Sequence, residues 1–170
     1  MTDLLHDPVA LAQALIRQPT VTPCEDGAQH VLAEALGQLG FRTKRYRIET
    51  TDNLFARLGE SGPHFCFSGH TDVVPVGDAA GWTHDPFGAE IVGGKLYGRG
   101  AADMKAAIAA FVSATARYLD DHGPPDGSIG FLISGDEEGP GTYGMKRLLP
   151  ALAADGETFD ACLVGEPTSE

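Results

Sequence analysis

Five residues with metal-binding side chains stand at the ends of predicted secondary-structure elements. The run Phe-Cys-Phe-Ser-Gly at 65–69 predicts a buried strand, and His70 follows it directly. The ends of other predicted strands and helices carry Asp103, Glu137, Glu138 and Glu166. Ligands collect beyond the carboxyl ends of strands in open α/β sheets. The spacing therefore predicts that four segments deliver one imidazole and several carboxylates to one rim of a sheet.

These side chains form a ligand set that suits zinc, at ligand distances of about 2.0–2.2 Å. One histidine with three carboxylates exceeds what a single structural zinc needs and suits two ions about 3.5–4 Å apart. Asp103, the lone acid of its segment, is the natural bridge between them. Taken singly, each residue has a simpler explanation, because Asp103 is typical of a helix N-cap and the acids at 136–138 are typical of a solvated loop. Their conjunction at corresponding strand ends favours the metal site.

Three acidic residues are candidates for second-sphere or catalytic roles. Asp72 lies two residues after His70, on the same side of an extended chain, so it is expected to accept the second ring N–H and fix the tautomer. Glu137 and Glu138 are neighbours that would point to opposite sides of an extended segment. One of them is expected to bind a metal and the other to act as general base on water. Their spacing does not assign these two roles.

The predicted elements form an α/β layered domain with a mixed sheet flanked by helices. Helices are predicted at about 8–18, 27–39, 104–119 and 142–153, and strands at 41–48, 53–58, up to 69, at 128–134 and at 159–164, with a hairpin over 89–97. Asp7 with Pro8, and Asp26, are predicted to cap the first two helices.

Composition limits the partners and the compartment. The 170 residues include 12 Lys and Arg against 24 Asp and Glu, a formal net charge of −12, which argues against nucleic acid or an anionic membrane as a partner. The one basic stretch, 42–47, alternates like a strand and is predicted to be a solvated face. No apolar run reaches the roughly 18 residues of a membrane span, and no secretion signal is evident. Cys66 and Cys162 lie in apolar runs typical of buried thiols, and with Cys24 they form no Cys-x-x-Cys pair, which favours a reduced, cytoplasmic protein.

Four ordered motifs resemble the M20 family of dinuclear zinc amidohydrolases and peptidases. They are Ser-Gly-His-Thr-Asp-Val-Val-Pro at 68–75, Gly-Arg-Gly-Ala-Ala-Asp-Met-Lys at 98–105, Gly-Asp-Glu-Glu-Gly at 135–139 and Val-Gly-Glu-Pro-Thr at 164–168. The resemblance implies a zinc-peptidase-like (phosphorylase/hydrolase-like) catalytic domain. Family members are about twice as long, with an inserted lid and dimerisation domain and a last metal-ligating His near the C-terminal end. Residues 1–170 are therefore expected to be the N-terminal part of the catalytic domain, without its C-terminal part and without the lid.

The resemblance also implies how the ligands are shared. His70 and Glu166 would be terminal ligands of different ions, with Asp103 as the bridge and Glu138 on the same ion as Glu166. The ions would be two Zn²⁺, with Co²⁺ as an alternative in one site. A cis peptide bond is implied after the bridging aspartate, between Asp103 and Met104.

Glu137 is implied to be the general base, and Asp72 the orienting acid, of a hydrolase of linear amides. The motifs at 98–105 and 135–140 most resemble those of members that hydrolyse N-succinyl-LL-2,6-diaminopimelate to succinate and LL-2,6-diaminopimelate, in lysine and peptidoglycan precursor biosynthesis. Such an enzyme takes a small-molecule N-acyl diamino acid, and the complete chain is expected to form a homodimer through the missing domain. Two alternatives stay open: a related M20 deacylase of the acetylornithine deacetylase or aminoacylase/carboxypeptidase type, and an inactive metal-binding fragment.

Overall fold

The computed structural model describes residues 4–22 and 27–168 as a mixed β-sheet with helices on both faces. The helices are α1 (Pro8–Ile16), α2 (Ala28–Gln38), α3 (Ala106–His122) and α4 (Met145–Ala154). The strands are β1 (Arg42–Ile48), β2 (Thr51–Leu58), β3 (His64–His70), β4 (Glu90–Val92), β5 (Lys95–Tyr97), β6 (Ser128–Ser134) and β7 (Ala161–Val164). A 3₁₀ turn, Ala79–Gly81, and a kinked turn, Ala101–Lys105, lie between them. The predicted α/β class, a mixed sheet flanked by helices, is confirmed.

The five-stranded sheet has the order β1-β2-β6-β3-β7, and β4 and β5 form a separate hairpin. Strands β1, β2 and β6 pair antiparallel, whereas β6, β3 and β7 run parallel. In this register His70 lies opposite Ser134, and Ser68 lies opposite Val164. Because parallel strands end at the same edge, the loops after β6, β3 and β7 meet there.

Alternation along the strands divides the core between the two faces of the sheet. On one face α1, α2 and α3 pack against the sheet, in a core that includes Phe67 and Phe131 of the strands and Phe111 of α3. The rings of Phe67 and Phe111 stack at 4.5 Å, and those of Phe111 and Phe131 meet edge-on at 5.2 Å. On the other face α4 covers a smaller cluster around Phe55 and Leu148. Within the described ranges no helix is long and apolar enough to cross a membrane.

Several local predictions can be compared with the structure. Asp7 caps α1, accepting hydrogen bonds from two backbone N–H groups at 2.9 and 3.1 Å, as predicted. Gly27 is the N-cap of α2, and Asp26 and Cys24 lie outside the described residues. The prediction that Cys162 is buried is wrong, because β7 is an outer strand among the described residues and leaves this thiol exposed.

The basic stretch of β1 is a solvated face, as predicted. Arg45 and Arg47 both pair with Asp52, at 3.1 and 2.8 Å, and remain half exposed or more. Lys44 pairs with Asp155 on the other face. Because acidic side chains accompany these cations, the stretch is no unbalanced basic patch.

Candidate metal centre

His70, the last residue of β3, lies at the centre of the site with a side chain that is 1% exposed. Its Nδ1 is 2.9 Å from the backbone carbonyl oxygen of Asp72, and its Nε2 is 3.1 Å from a carboxylate oxygen of Asp103. A carbonyl oxygen only accepts, so Nδ1 carries the proton in the neutral ring and the Nε2 lone pair faces the carboxylates. Metal-binding histidines are commonly oriented in this way. Burial lowers the pKa of His70, but the hydrogen bond to Asp72 and the surrounding carboxylates outweigh it and raise the pKa.

Asp72 contacts the imidazole of His70 through its backbone oxygen, whereas the sequence predicted a contact through its carboxylate. Its backbone oxygen binds the imidazole, while its carboxylate oxygen is 3.6 Å from Nδ1 of His70, beyond hydrogen-bond distance. The carboxylate, which is fully buried, instead accepts the backbone N–H groups of Glu137 and Glu138 at 3.0–3.1 Å. Burial raises the pKa of Asp72 against the opposing effect of these donors. Asp72 therefore connects the end of β3 to the loop after β6.

We call the segment 135–144, between β6 and α4, the dyad loop. It carries Glu137 and Glu138, which the sequence predicts to point to opposite sides of an extended chain. The loop bends here, since two successive N–H groups converge on Asp72, and each glutamate has a carboxylate oxygen within 4.8 Å of the other and of a ring nitrogen of His70. Burial and the nearby charge of Asp103 raise the pKa of Glu138.

The bridging candidate Asp103 lies in the turn Ala101–Lys105 before α3, where the bond Asp103–Met104 is cis. The backbone there is not helical, so α3 begins at Ala106 and not at Met104 as predicted. Met104 is fully buried, and its sulfur accepts the backbone N–H of His70 at 3.3 Å. Lys105, also fully buried, donates to the carbonyl of Gln18 at 2.8 Å. These contacts attach the Asp103 turn to β3 and to the segment after α1.

Glu166 reaches the site from the end of β7. Gly165 continues the ladder, with its N–H 3.0 Å from the carbonyl of Ser68, and Glu166 Oε1 lies 3.4 Å from His70 Nε2. Burial raises the pKa of Glu166, and the charges of Asp103 and Glu137 act in the same direction.

The five side chains form two overlapping triads: His70 with Glu137 and Glu138, and His70 with Asp103 and Glu166. Within each triad the ligand atoms lie within 4.8 Å of one another. The carboxylates are crowded, and Glu138 and Glu166 have raised pKa values. Divalent cations relieve the repulsion within such a donor set, so the residues fit zinc. A cavity of about 310 Å³, lined by Glu137 and Glu166 among others, adjoins the triads. The structure thus brings all five predicted ligands and bases together, and it does not assign individual ions.

Sequence reasoning missed two polar residues that shape the site. Asn53 in β2 and Asp136 in the dyad loop are buried and hydrogen-bonded to that loop. Asn53 stands at the start of the run Asn-Leu-Phe-Ala, where a buried asparagine within an apolar strand is an available signal. Asp136 is indicated by the sequence only as part of an acidic run.

The comparison with known families shows the family to which the chain belongs. Residues 66–170 match the family described as Peptidase family M20/M25/M40, and this range contains all five ligand candidates. The chain belongs to this family. The match confirms the resemblance that the four motifs indicated.

Curated relatives are similar to the chain in sequence, and solved structures are similar to it in fold. The chain is 57% identical over 168 residues to a succinyl-diaminopimelate desuccinylase of Rhodospirillum centenum, covering 96% of this chain and 44% of the relative. It is 59% identical over 165 residues to the desuccinylase of Maricaulis maris, covering 97% and 42%. An M20 family metallo-carboxypeptidase from Sulfolobus solfataricus superposes with a TM-score of 0.82 at 20% identity, covering 94% of this chain and 37% of that one. Human carnosine dipeptidase 1 superposes with a TM-score of 0.74 at 24% identity, covering 92% and 37%. The chain thus spans less than half the length of these curated relatives.

Proposed function

We propose that this chain is part of a zinc-dependent amidohydrolase that converts N-succinyl-LL-2,6-diaminopimelate and water to succinate and LL-2,6-diaminopimelate. The observation that carries the proposal is the convergence of His70 and four carboxylates at one sheet edge, in an M20 chain more than half identical to desuccinylases. The reaction belongs to lysine and peptidoglycan precursor biosynthesis.

The proposed ligands are His70, Asp103, Glu138 and Glu166, which would hold two Zn²⁺ ions, with Co²⁺ as an alternative in one site. When bound, such ions lower the pKa of water toward about 7 and polarise a carbonyl group. Asp103 lies nearest the imidazole, 3.1 Å from Nε2, which suits the bridging position.

Glu137 is the proposed general base, and its carboxylate is half exposed at the mouth of the site. It takes a proton from the attacking water as the C–O bond forms at the succinyl carbonyl. It then delivers that proton to the amine as the C–N bond breaks. Asp72 holds the backbone N–H groups of Glu137 and Glu138, so the base and its neighbouring ligand keep their positions through the reaction.

The rest of the proposal concerns the whole protein. We place residues 1–170 in the N-terminal part of the catalytic domain and assign the last metal ligand, the lid and a homodimer interface to chain beyond it. The substrate is a small molecule, and the compartment is the cytoplasm.

The test uses the full-length, zinc-loaded protein. Glu137→Ala is expected to keep its zinc and lose about 10²-fold or more in kcat, as general-base loss does. Glu60→Ala, an exposed glutamate far from the site, is the matched control and should retain activity. His70→Ala should lose metal, as measured by elemental analysis after gel filtration. An active Glu137→Ala enzyme, or one that loses zinc along with activity, contradicts the assigned role.

Substrate class is tested by comparing kcat/KM for succinylated and acetylated diamino acids. A preference for the succinyl compound supports the proposal. A preference for an acetyl compound such as acetylornithine would instead assign the chain to a related deacylase of the same family.

A further inference from the structure

The dyad loop has no regular secondary structure, yet it carries the proposed base and one proposed ligand. Its two ends are close together: a Cβ on Gly144, at the end of the loop, would lie 2.5 Å from the carbonyl oxygen of Asp136. Compact loops with adjacent ends depend on internal contacts for their shape. The shape of this loop must therefore come from side chains that bond its backbone.

Asn53 contacts both ends of the loop. Its Oδ1 accepts the N–H of Gly135 at 3.2 Å, at the start of the loop, and its Nδ2 donates to the carbonyl of Tyr143 at 3.0 Å, near the end. A longer bond, 3.4 Å, joins Nδ2 to the carbonyl of Tyr46 on β1. The side chain is fully buried, and it belongs to β2, which offers no group to the two triads.

The loop also carries an internal brace. The carboxylate of Asp136 accepts the N–H of Gly141 at 3.2 Å and the N–H of Tyr143 at 2.8 Å. The backbone of Tyr143 is therefore fixed on both sides, by Asp136 at its N–H and by Asn53 at its carbonyl. This arrangement leaves Glu137, two residues after Gly135, little freedom to shift.

The primary amide of Asn53 meets both demands of this position, because it offers an acceptor and a donor on separate atoms of one short side chain. A leucine of similar volume would leave the Gly135 N–H and the Tyr143 carbonyl without these partners in a buried place. An aspartate would keep the acceptor but would turn an oxygen toward the Tyr143 carbonyl.

We propose that Asn53 is a positioning residue, which sets the catalytic geometry of Glu137 and Glu138 by clamping the two ends of the dyad loop to the central sheet. This inference rests on the function proposed above. It extends the site to a strand that contributes no ligand.

The experiment compares two variants of the full-length, zinc-loaded protein. Asn53→Leu removes the clamp. Ser128→Ala is the matched control, since Ser128 is also buried and bonds Arg57 and Ser61, but at the opposite end of β6. Both variants should lose stability. Asn53→Leu should also lose about tenfold or more in kcat at saturating zinc, with a smaller change in KM, since misplacing a catalytic group by 1 Å can cost about 10²-fold. Its zinc should be removed more readily by a competing chelator, because Glu138 shifts with the loop.

Asn53→Asp, which keeps the acceptor for Gly135, replaces the leucine variant if that one does not fold, and a similar loss in kcat is expected. The inference is overturned if the position-53 variant matches Ser128→Ala in kcat and in resistance to the chelator. Glu137→Ala separates this failure from failure of the proposed function. If Glu137→Ala is inactive and retains zinc while Asn53→Leu behaves like the control, only the positioning role is lost. If Glu137→Ala is active, the proposed function itself fails.

Discussion

Replacing Gly165 with alanine should damage the metal centre more than it damages the fold. Gly165 precedes Glu166, and its φ is not in the left-handed region, so alanine is acceptable to the backbone. A Cβ there would lie 2.7 Å from Cε2 of Phe67 and 2.8 Å from Cε of Met104. Carbon atoms pack best at about 3.5–4.0 Å, so roughly 1 Å of movement is needed.

The neighbours leave few ways to make that movement. The Phe67 ring is 2% exposed and is stacked on Phe111, while Met104 is fully buried beneath the backbone of His70. β7, which is the outer strand among the described residues, therefore gives way and carries Glu166 with it. Overpacking costs about 1–3 kcal/mol, which lowers Tm by roughly 2–12 °C at about 2–4 °C per kcal/mol for a domain of this size. A ligand displaced by about 1 Å is expected to lower kcat/KM by about 10²-fold, equal to about 2.7 kcal/mol.

The assay measures zinc content, kcat/KM and Tm for Gly165→Ala beside Gly37→Ala in the full-length protein. Gly37 lies in α2, and a Cβ at this position would meet no neighbouring atom within 4 Å. Alanine there should therefore leave activity intact and raise stability by about 0.5–1 kcal/mol. A Gly165→Ala protein with full zinc and kcat/KM within twofold of the parent would refute the packing argument. Equal activity losses in the two variants would refute it as well.

Two further outcomes are expected. Asp72→Asn replaces with an amide NH₂ one of the oxygens that accept the N–H groups of Glu137 and Glu138. The variant should lower kcat by roughly 10²-fold, because the dyad loop shifts. A kcat within threefold of the parent would contradict this. Burial, with the charge of Arg57, lowers the pKa of His64, so the unfolded chain binds this proton more readily and stability is lost as pH falls below about 6.5. In urea titrations, the free energy of unfolding of His64→Phe should therefore fall less between pH 7.5 and pH 5.5 than that of the parent. An equal fall in both proteins would argue that His64 is not the group responsible.

Elements with strong patterns could be predicted from the sequence. The strand at 128–134 is predicted correctly, because its apolar run is bounded by glycines. The predicted start of α3, at Met104, is two residues early, since the Ala-rich pattern includes Met104 although its backbone is not helical. The spacing of apolar residues indicates which positions are buried. It does not reveal a non-helical turn within a segment whose apolar spacing is helical.

The sequence predicted which side chains form the site, but it did not predict the hydrogen bonds that connect them. His70 and the acids were found because each stands beside an element end. The actual partners of Asp72 were not found, since they are backbone N–H groups whose position depends on how the dyad loop bends. Asn53 was missed for a similar reason: its proposed role depends on contacts with Gly135 and Tyr143, which are 82 and 90 residues away in the chain.

The strand order has a consequence for biosynthesis. β3 is paired on one side with β6 and on the other with β7, which is the last described strand to be made. At about 5–20 residues per second, a ribosome needs roughly 5–20 s to proceed from His70 to Glu166. During that interval the nascent chain carries the imidazole without its full set of carboxylates, and the β7 side of β3 is an open sheet edge. The carboxylate set around His70 is therefore completed only after β7 has been made and paired, and until then the unpaired edge of β3 is a site at which aggregation can begin.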